Sequence, residues 1–356
     1  MTRPFVYDPL PMRVIFGAGA VAQLEPEIER IGVRRVLVLS TPGRGEAQAN
    51  QITALLGERS AGLFAGAAMH TPVEVTERAL LVVKERGADA IVAVGGGSTT
   101  GLSKALALRT DLPQLVVPTT YAGSEMTPIL GETRDGVKTT QRTRKVLPEI
   151  VIYDVDLTLD LPASTSAASG MNAIAHAVEA LYARDRDPVT SLVAEEGIAV
   201  LGRALPKVVK EPRDREARSE ALCGAWLCGI CLGTVGMALH HKLCHTLGGS
   251  FGLPHAETHA IVLPHAVAYN APAAPTAMAR VARALGAADA ALGLYDLAGR
   301  LGTKRAPRDI GMPADGIAEV VDRTLADPYW NPRPIQRTMI LDLVTAAWHG
   351  EPPHPA

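Results

Sequence analysis

The sequence predicts an N-terminal α/β domain built on a parallel sheet, followed by an all-helical domain. Three observations carry this prediction. Up to about residue 158, short β-branched runs alternate with helical patterns, as strands joined by helical crossovers require. Beyond that point the strand signals stop and apolar residues recur at helical spacing. The 356 residues also exceed what one ordinary core organises, so two domains are expected, 1–158 and 159–356, with an active site in the cleft between them.

In chain order, VLVLS (36–40) reads as a buried strand turning at TPGR. ADAIVAVGGGSTT (88–100) reads as a strand entering a glycine turn, with the helix GLSKALAL after it. LPQLVVPTTYAGSE (112–125) is a further strand that delivers Thr119, Thr120 and Tyr121 at its carboxyl end, and PEIVIYDVDL (148–157) is the last strand. Helices then follow at 166–183, 191–205, across 217–247, at 276–286 and at 335–348. The Pro-rich tail HGEPPHPA reads as loose chain.

Composition excludes several classes. Apolar residues make up 47% and charged residues 20%, which suits a well-buried globular chain and not a disordered one. With 35 basic against 37 acidic residues and no long Lys/Arg run, nothing tracks a phosphate backbone, so nucleic acid is not an expected partner. The start MTRPFVYDPL lacks the apolar core and cleavage site of an export signal. Residues 221–240 carry no formal charge over about the length of a membrane span, but their four glycines and direct run into His241 and Lys242 predict a buried core helix and no membrane contact. Cys223, Cys228, Cys231 and Cys244 lie in apolar sequence without a second C-x2-C, so they read as reduced, packed thiols, which favours the cytoplasm.

Two constellations carry chemistry. Gly95-Gly96-Gly97-Ser98 falls between a strand and a helix, where glycines admit a pyrophosphate and the helix start offers free N–H groups. The nearby Thr119 and Thr120 hydroxyls strengthen a dinucleotide reading. Ser40 and Thr41, at the first strand-to-helix turn, put no carboxylate against a 2′-phosphate, so both NADH and NADPH are expected to fit. The second constellation is 237–265, which holds six of the ten histidines in 29 residues. His241 and His245 are four apart and share a helix face, and His255 enters behind a Gly/Pro turn. Asn172 and His176 are also four apart, and Glu179, three further on, is placed to orient the His176 ring. Gathered imidazoles supply metal ligands, proton donors or both.

The order of GGGS, the strand-end PTT, N-x3-H and H-x3-H-x9-H resembles the iron-containing (group III) alcohol dehydrogenase superfamily, over roughly residues 10–270. GGGSTTGLSKALAL, PTTYAGSEMTP, SGMNAIAHAVEALYA and HHKLCHTLGGSFGLPHAETHAIVLPH are similar to its maleylacetate reductase branch. The resemblance implies a Rossmann-like, dehydroquinate synthase-like architecture, a homodimer, and NAD(P)H-dependent reduction of maleylacetate, or chlorinated maleylacetates, to 3-oxoadipate in aromatic-ring degradation. Metal-dependent members bind a divalent ion through an Asp and three His; the matching positions here are Asn172, His176, His241 and His255. Asn172 removes the anionic ligand, Gly101 stands where an Asp usually follows GGGS, and Lys242 adds a cation. These departures imply that a metal is not required, with side-chain donors in its place. His241 and His245 would then stabilise the oxyanion and supply the proton, with His176 and His255 completing the wall. Tyr121 and Ser124 are expected near the substrate. Lys242, Arg142, Arg144 and Arg333 are candidate partners of its carboxylates. A metal-dependent alcohol or polyol dehydrogenase of the same fold is the competing expectation, and a non-catalytic sensor on this scaffold a more distant one.

Overall fold

A computed structural model describes residues 4–327 and 329–354. The chain divides into a unit of Pro9–Leu161 and a unit formed by the residues from Pro162 onward with the segment up to Asp8. The first contains β1 (Arg13–Gly17), α1 (Leu24–Arg30), β2 (Val36–Leu39), α2 (Arg44–Leu56), β3 (Ser60–Phe64), α3 (Val73–Arg86), β4 (Ala90–Gly95), α4 (Gly97–Thr110), β5 (Gln114–Pro118), β6 (Ile129–Arg134), β7 (Val137–Arg142) and β8 (Ile150–Asp154). Six strands pair in parallel in the order β1-β8-β5-β4-β2-β3.

Every residue of β2, β4, β5 and β8 is buried. A parallel strand covered on both faces needs an unbroken apolar run, which is why VLVL, AIVAVG and IVIYD do not alternate. From β2 the chain steps outward to β3, then returns to β4 on the other side of β2 and continues to β5. The strand order therefore reverses between β2 and β4, and the carboxyl ends of these two strands are where such sheets bind ligands.

The sequence reading did not include β1, β3 or the β6–β7 hairpin. β1 and β3 are the edge strands and only partly buried, so their residues carry weaker apolar runs. The hairpin closes at Asp135-Gly136 with φ of 50° and 76°. Two consecutive positive φ values define the tight turn for which Asp-Gly is a strong signal.

The second unit contains α5 (Ala163–Tyr182), α6 (Pro188–Lys210), α7 (Arg215–Thr234), α8 (Leu239–Phe251), α9 (His255–Asn270), α10 (Pro275–Leu285), α11 (Ala290–Arg300), α12 (Gly316–Ala326) and α13 (Arg337–His349). No strand occurs in it among the described residues. α5 is buried from Ser166 to Tyr182 and packs on α6, α7 and α9. Asp187 and Asp214 cap α6 and α7, the first accepting from Thr190 N at 2.9 Å and the second from Glu216 N at 2.9 Å.

Among the described residues no single helix is long and apolar enough to cross a membrane; α7 and α8 qualify only as a pair, and they bend by 94° at their junction. All four cysteines are free, and burial pushes the Cys231 thiol up to about 12. The tail read as loose is in part anchored: Glu351 N donates to Ala346 O at 3.0 Å and Pro353 is buried, while positions 355 and 356 lie outside the described residues.

Candidate active site

In the α/β unit, β4 ends at Gly95 and α4 begins at Gly97, so the helix start opens directly off a central strand. A Cβ on Gly96 would stand 2.7 Å from Thr120 Oγ1 and 2.9 Å from its Cγ2, so only glycine lets the β5 end lie this close. Thr119 N donates to Gly95 O at 3.0 Å, which locks the two strand ends together. Beyond Gly97 the nearest side-chain atoms are Ser124 Oγ, 3.8 Å from its would-be Cβ, and Ala122 Cβ. Ser40 Oγ at the β2 end, Thr99 Oγ1 and Ser124 Oγ are all buried without a hydrogen-bond partner. Tyr121 is fully buried. At Gly101, where an Asp usually follows GGGS, a Cβ would run into Thr71 Oγ1, so that hydroxyl would have to turn away for any side chain to fit.

In the helical unit α5, α8 and α9 bring six histidines together. Ring centroids lie 5.2 Å apart for His176–His241, 4.9 Å for His241–His259, 4.1 Å for His255–His259 and 4.8 Å for His240–His259. His245 joins the same group, 6.1 Å from His241 and 6.3 Å from His255. His259 touches most of the others, although the sequence reading gave it no role. It lies one turn after His255 on α9, and that four-residue spacing is the signal that could have found it.

The carboxylate beside this group is Glu179, and the structure places it on a different imidazole from the one its spacing suggests. Glu179 Oε2 accepts from His241 Nδ1 at 2.7 Å and from Ala238 N at 2.9 Å. Oε1 accepts from His240 N at 3.0 Å and from Tyr182 OH at 3.2 Å. The N–H groups at the start of α8 seek an acceptor, and an anion there is favoured by the helix dipole. Burial alone would raise the Glu179 carboxyl, but the His241 hydrogen bond, the nearby imidazoles and the Ala238 N–H outweigh it and hold it at about 2.

With Nδ1 held by Glu179, His241 presents Nε2, which is buried and has no partner. Asn172 Oδ1, His176 Nδ1 and both ring nitrogens of His259 are likewise buried and unpartnered. Each such group costs about 1–3 kcal/mol while it stays unsatisfied, so their concentration marks a ligand-directed site. Burial first, and then the neighbouring imidazoles, holds His176 and His259 well below the ordinary histidine value, so both rings are neutral at pH 7. His240 is pushed down to about 4 by burial; its Nε2 lies 3.1 Å from His259 O, which only accepts, so the His240 proton sits there.

Two of the predicted residues lie apart from this group. Lys242 points about 100° away from His241 around α8 and pairs with Asp327 at 3.3 Å. Arg333 donates to Tyr269 O at 2.8 Å and stacks over that ring at 5.0 Å. Arg142 and Arg144 are exposed on the α/β unit.

Both halves match known protein families. Residues 11–155 match the iron-containing alcohol dehydrogenase family and residues 166–348 the C-terminal part of the Fe-containing alcohol dehydrogenase family. The chain belongs to the iron-containing alcohol dehydrogenase family. Within it, its relatives include a protein of Sphingobium indicum named maleylacetate reductase, 56% identical over 98% of this chain and 99% of that protein. The crystal structure of maleylacetate reductase from Agrobacterium tumefaciens superposes with a TM-score of 0.95 at 54% identity, covering 99% of this chain and all of that one. That of Rhizobium sp. strain MTP-10005 also superposes with a TM-score of 0.95, at 53% identity and the same coverage.

Proposed function

We propose that this protein is an NAD(P)H-dependent maleylacetate reductase, which reduces the carbon–carbon double bond of maleylacetate to give 3-oxoadipate. Full-length identity of 50–56% to proteins named maleylacetate reductase carries the proposal. The place in aromatic-ring breakdown, the cytoplasm and a homodimer go with that reading.

Bound NADH or NADPH supplies the hydride. The residues present fit a dinucleotide: the Gly96 cradle, the open start of α4 and the unpartnered hydroxyls of Ser40, Thr99 and Ser124 suit a pyrophosphate and ribose. Ser40 and Thr41 bring no carboxylate, so a 2′-phosphate is not repelled and both nucleotides are accepted.

Addition of hydride to the alkene carbon β to the ketone leaves an enolate, and the adjacent carbon then takes a proton. The negative charge develops on the ketone oxygen. His241 Nε2, fixed in orientation by the Glu179 bond at its far nitrogen, is placed to donate to that oxygen. His259 and His176 keep unpartnered nitrogens in a dry surround where such donors act most strongly. His245 and His255 supply the proton and complete the wall, and Asn172 Oδ1 is the uncharged, unpartnered group beside them. His240, His241 and His259 nitrogens lie within 4.8 Å of one another, as a metal site would require. Even so, the donor set suits a hard divalent ion poorly. None of the unpartnered groups is a carboxylate, and Glu179, the carboxylate bonded within the group, already accepts four hydrogen bonds. This supports turnover without a metal.

The test is NADH loss on freshly generated maleylacetate, run beside simple alcohols, before and after chelation. Fast turnover of maleylacetate that survives chelation is expected. Turnover abolished by chelation and restored by added metal would show that the metal-free part is wrong, and oxidation of alcohols without maleylacetate reduction would overturn the assignment itself.

A further inference from the structure

Lys104 lies on α4 seven residues after Gly97, two turns below the helix start and on the same face. It is 1% exposed, and the mechanism above gives it no role. Its Nζ reaches Ser124 O at 2.6 Å, Thr127 O at 2.7 Å, Thr127 Oγ1 at 2.8 Å and Ile129 O at 2.9 Å. An ammonium has three donors, so every proton has an oxygen and one is shared. All four acceptors belong to the stretch from Ser124 to Ile129, which leaves β5 and returns to β6. That stretch is anchored a second time, where Glu125 Oε1 accepts from Tyr153 OH on β8 at 2.8 Å.

The anchored stretch carries Ser124, whose unpartnered Oγ is the nearest side-chain atom to Gly97 at the start of α4. Neutral carbonyls and one hydroxyl are an expensive setting for a buried cation. Burial pushes the Lys104 ammonium down to about 7, opposed only by the Glu125 charge, and the Glu125 carboxyl is itself raised by burial. A purely structural tie between helix and loop is made at lower cost by apolar packing, so a group this costly points to positional accuracy near a ligand.

We infer that Lys104 is a positioning residue for the nucleotide: it clamps the Ser124–Ile129 stretch to the helix whose first turn receives the pyrophosphate. It touches neither nucleotide nor substrate. The inference rests on the nucleotide reading of this site, and the two fail separately.

The experiment measures Kd for ADP by calorimetry and for NADH by fluorescence in the full-length protein, its Lys104→Met variant and its Thr127→Val variant. Steady-state constants for maleylacetate are taken at saturating NADH. Lys104→Met keeps most of the volume without the donors, and a tenfold or larger rise in both nucleotide Kd values is expected. The maleylacetate KM and kcat should stay within about threefold. Thr127→Val removes one acceptor of Lys104 and also the donation from Thr127 Oγ1 to Ser124 O at 3.0 Å; it should weaken nucleotide about threefold, and unchanged nucleotide Kd values in it overturn the clamp if Lys104→Met does not fold. Unchanged nucleotide Kd values in a folded variant overturn the role of Lys104, as does an equal loss for nucleotide and maleylacetate, which signals general damage. Failure of the unaltered protein to bind either ADP or NADH overturns the nucleotide reading instead.

Discussion

Glu179→Gln swaps one carboxylate oxygen for an amide group with almost no change in volume, and it isolates what the carboxylate does for His241. The two oxygens of Glu179 take four donors: His241 Nδ1, Ala238 N, His240 N and Tyr182 OH. The Gln amide oxygen can keep His241 and Ala238. Its NH2 group then faces Tyr182 OH, which can turn to accept, and His240 N, which cannot. One buried N–H loses its acceptor, at a cost of about 1–3 kcal/mol, and the bond to His241 loses its charge assistance. Urea unfolding should therefore show a loss of about 2–4 kcal/mol in a variant that still folds. In the proposed reaction Nε2 of a correctly oriented His241 ring meets the developing charge, and removing such an orienting partner typically costs about 10–100-fold. We expect kcat for maleylacetate to drop toward the upper end of that range, with NADH affinity unchanged. A folded Glu179→Gln protein with kcat within threefold of the parent would show that the carboxylate does not act through His241.

Three further outcomes follow from the same geometry. Burial, first among the causes, holds His176 and His259 far below the ordinary histidine value of 6.5, and His240 and His265 at about 4, so the unfolded chain takes up protons near pH 6.5 that the native one refuses. Stability is therefore unaffected by these groups above pH 6.5 and falls as the pH drops toward 4; Glu179, at about 2 against 4.5, extends the loss below that. A urea midpoint that stays flat from pH 7 to about pH 4.5 would contradict these burial effects. Asn172→Asp restores a carboxylate one turn before His176 and should tighten zinc or ferrous ion binding by at least about tenfold in calorimetry; equal affinity would mean that charge at this position does not limit the site. His259→Phe replaces two unsatisfied nitrogens with an apolar ring of similar shape, so the protein should gain about 1 kcal/mol or more in unfolding while kcat falls at least tenfold. A stability loss with full activity would make His259 an ordinary core residue.

The fold was legible where burial on both faces of the sheet dictates the sequence. β2, β4, β5 and β8 lie in the middle of the sheet, and their apolar runs, leading into glycines after β4 and threonines after β5, mark both the strands and the edge where such sheets bind ligands. β1 and β3 were not legible, because an edge strand with one side toward solvent needs fewer β-branched residues. Asp135-Gly136 is a hairpin signal that the sequence reading passed over, because its flanking residues are too polar for the strands to stand out. The 11-residue helices α11 and α12 also went unread, although α10, of the same length, was read at 276–286.

The site was legible as far as helical spacing reaches. Four-residue intervals paired Asn172 with His176 and His241 with His245, and the same rule applied to His255 would have reached His259. The partner of Glu179 was beyond that rule. Spacing along α5 favours His176, three residues away, but the start of α8 arrives at the same place with unpaired N–H groups and the His241 ring. Tertiary approach decided the contest, because a carboxylate gains more from two helix-start N–H groups and an imidazole than from one neighbour on its own helix. The consequence bears on the chemistry. Replacing an acidic ligand by Asn172 removes negative charge from the face that meets the ligand, while Glu179 retains one behind His241. On the proposed reading, charge that would have gripped a cation directly is held one imidazole further back, where it fixes the orientation of the His241 ring.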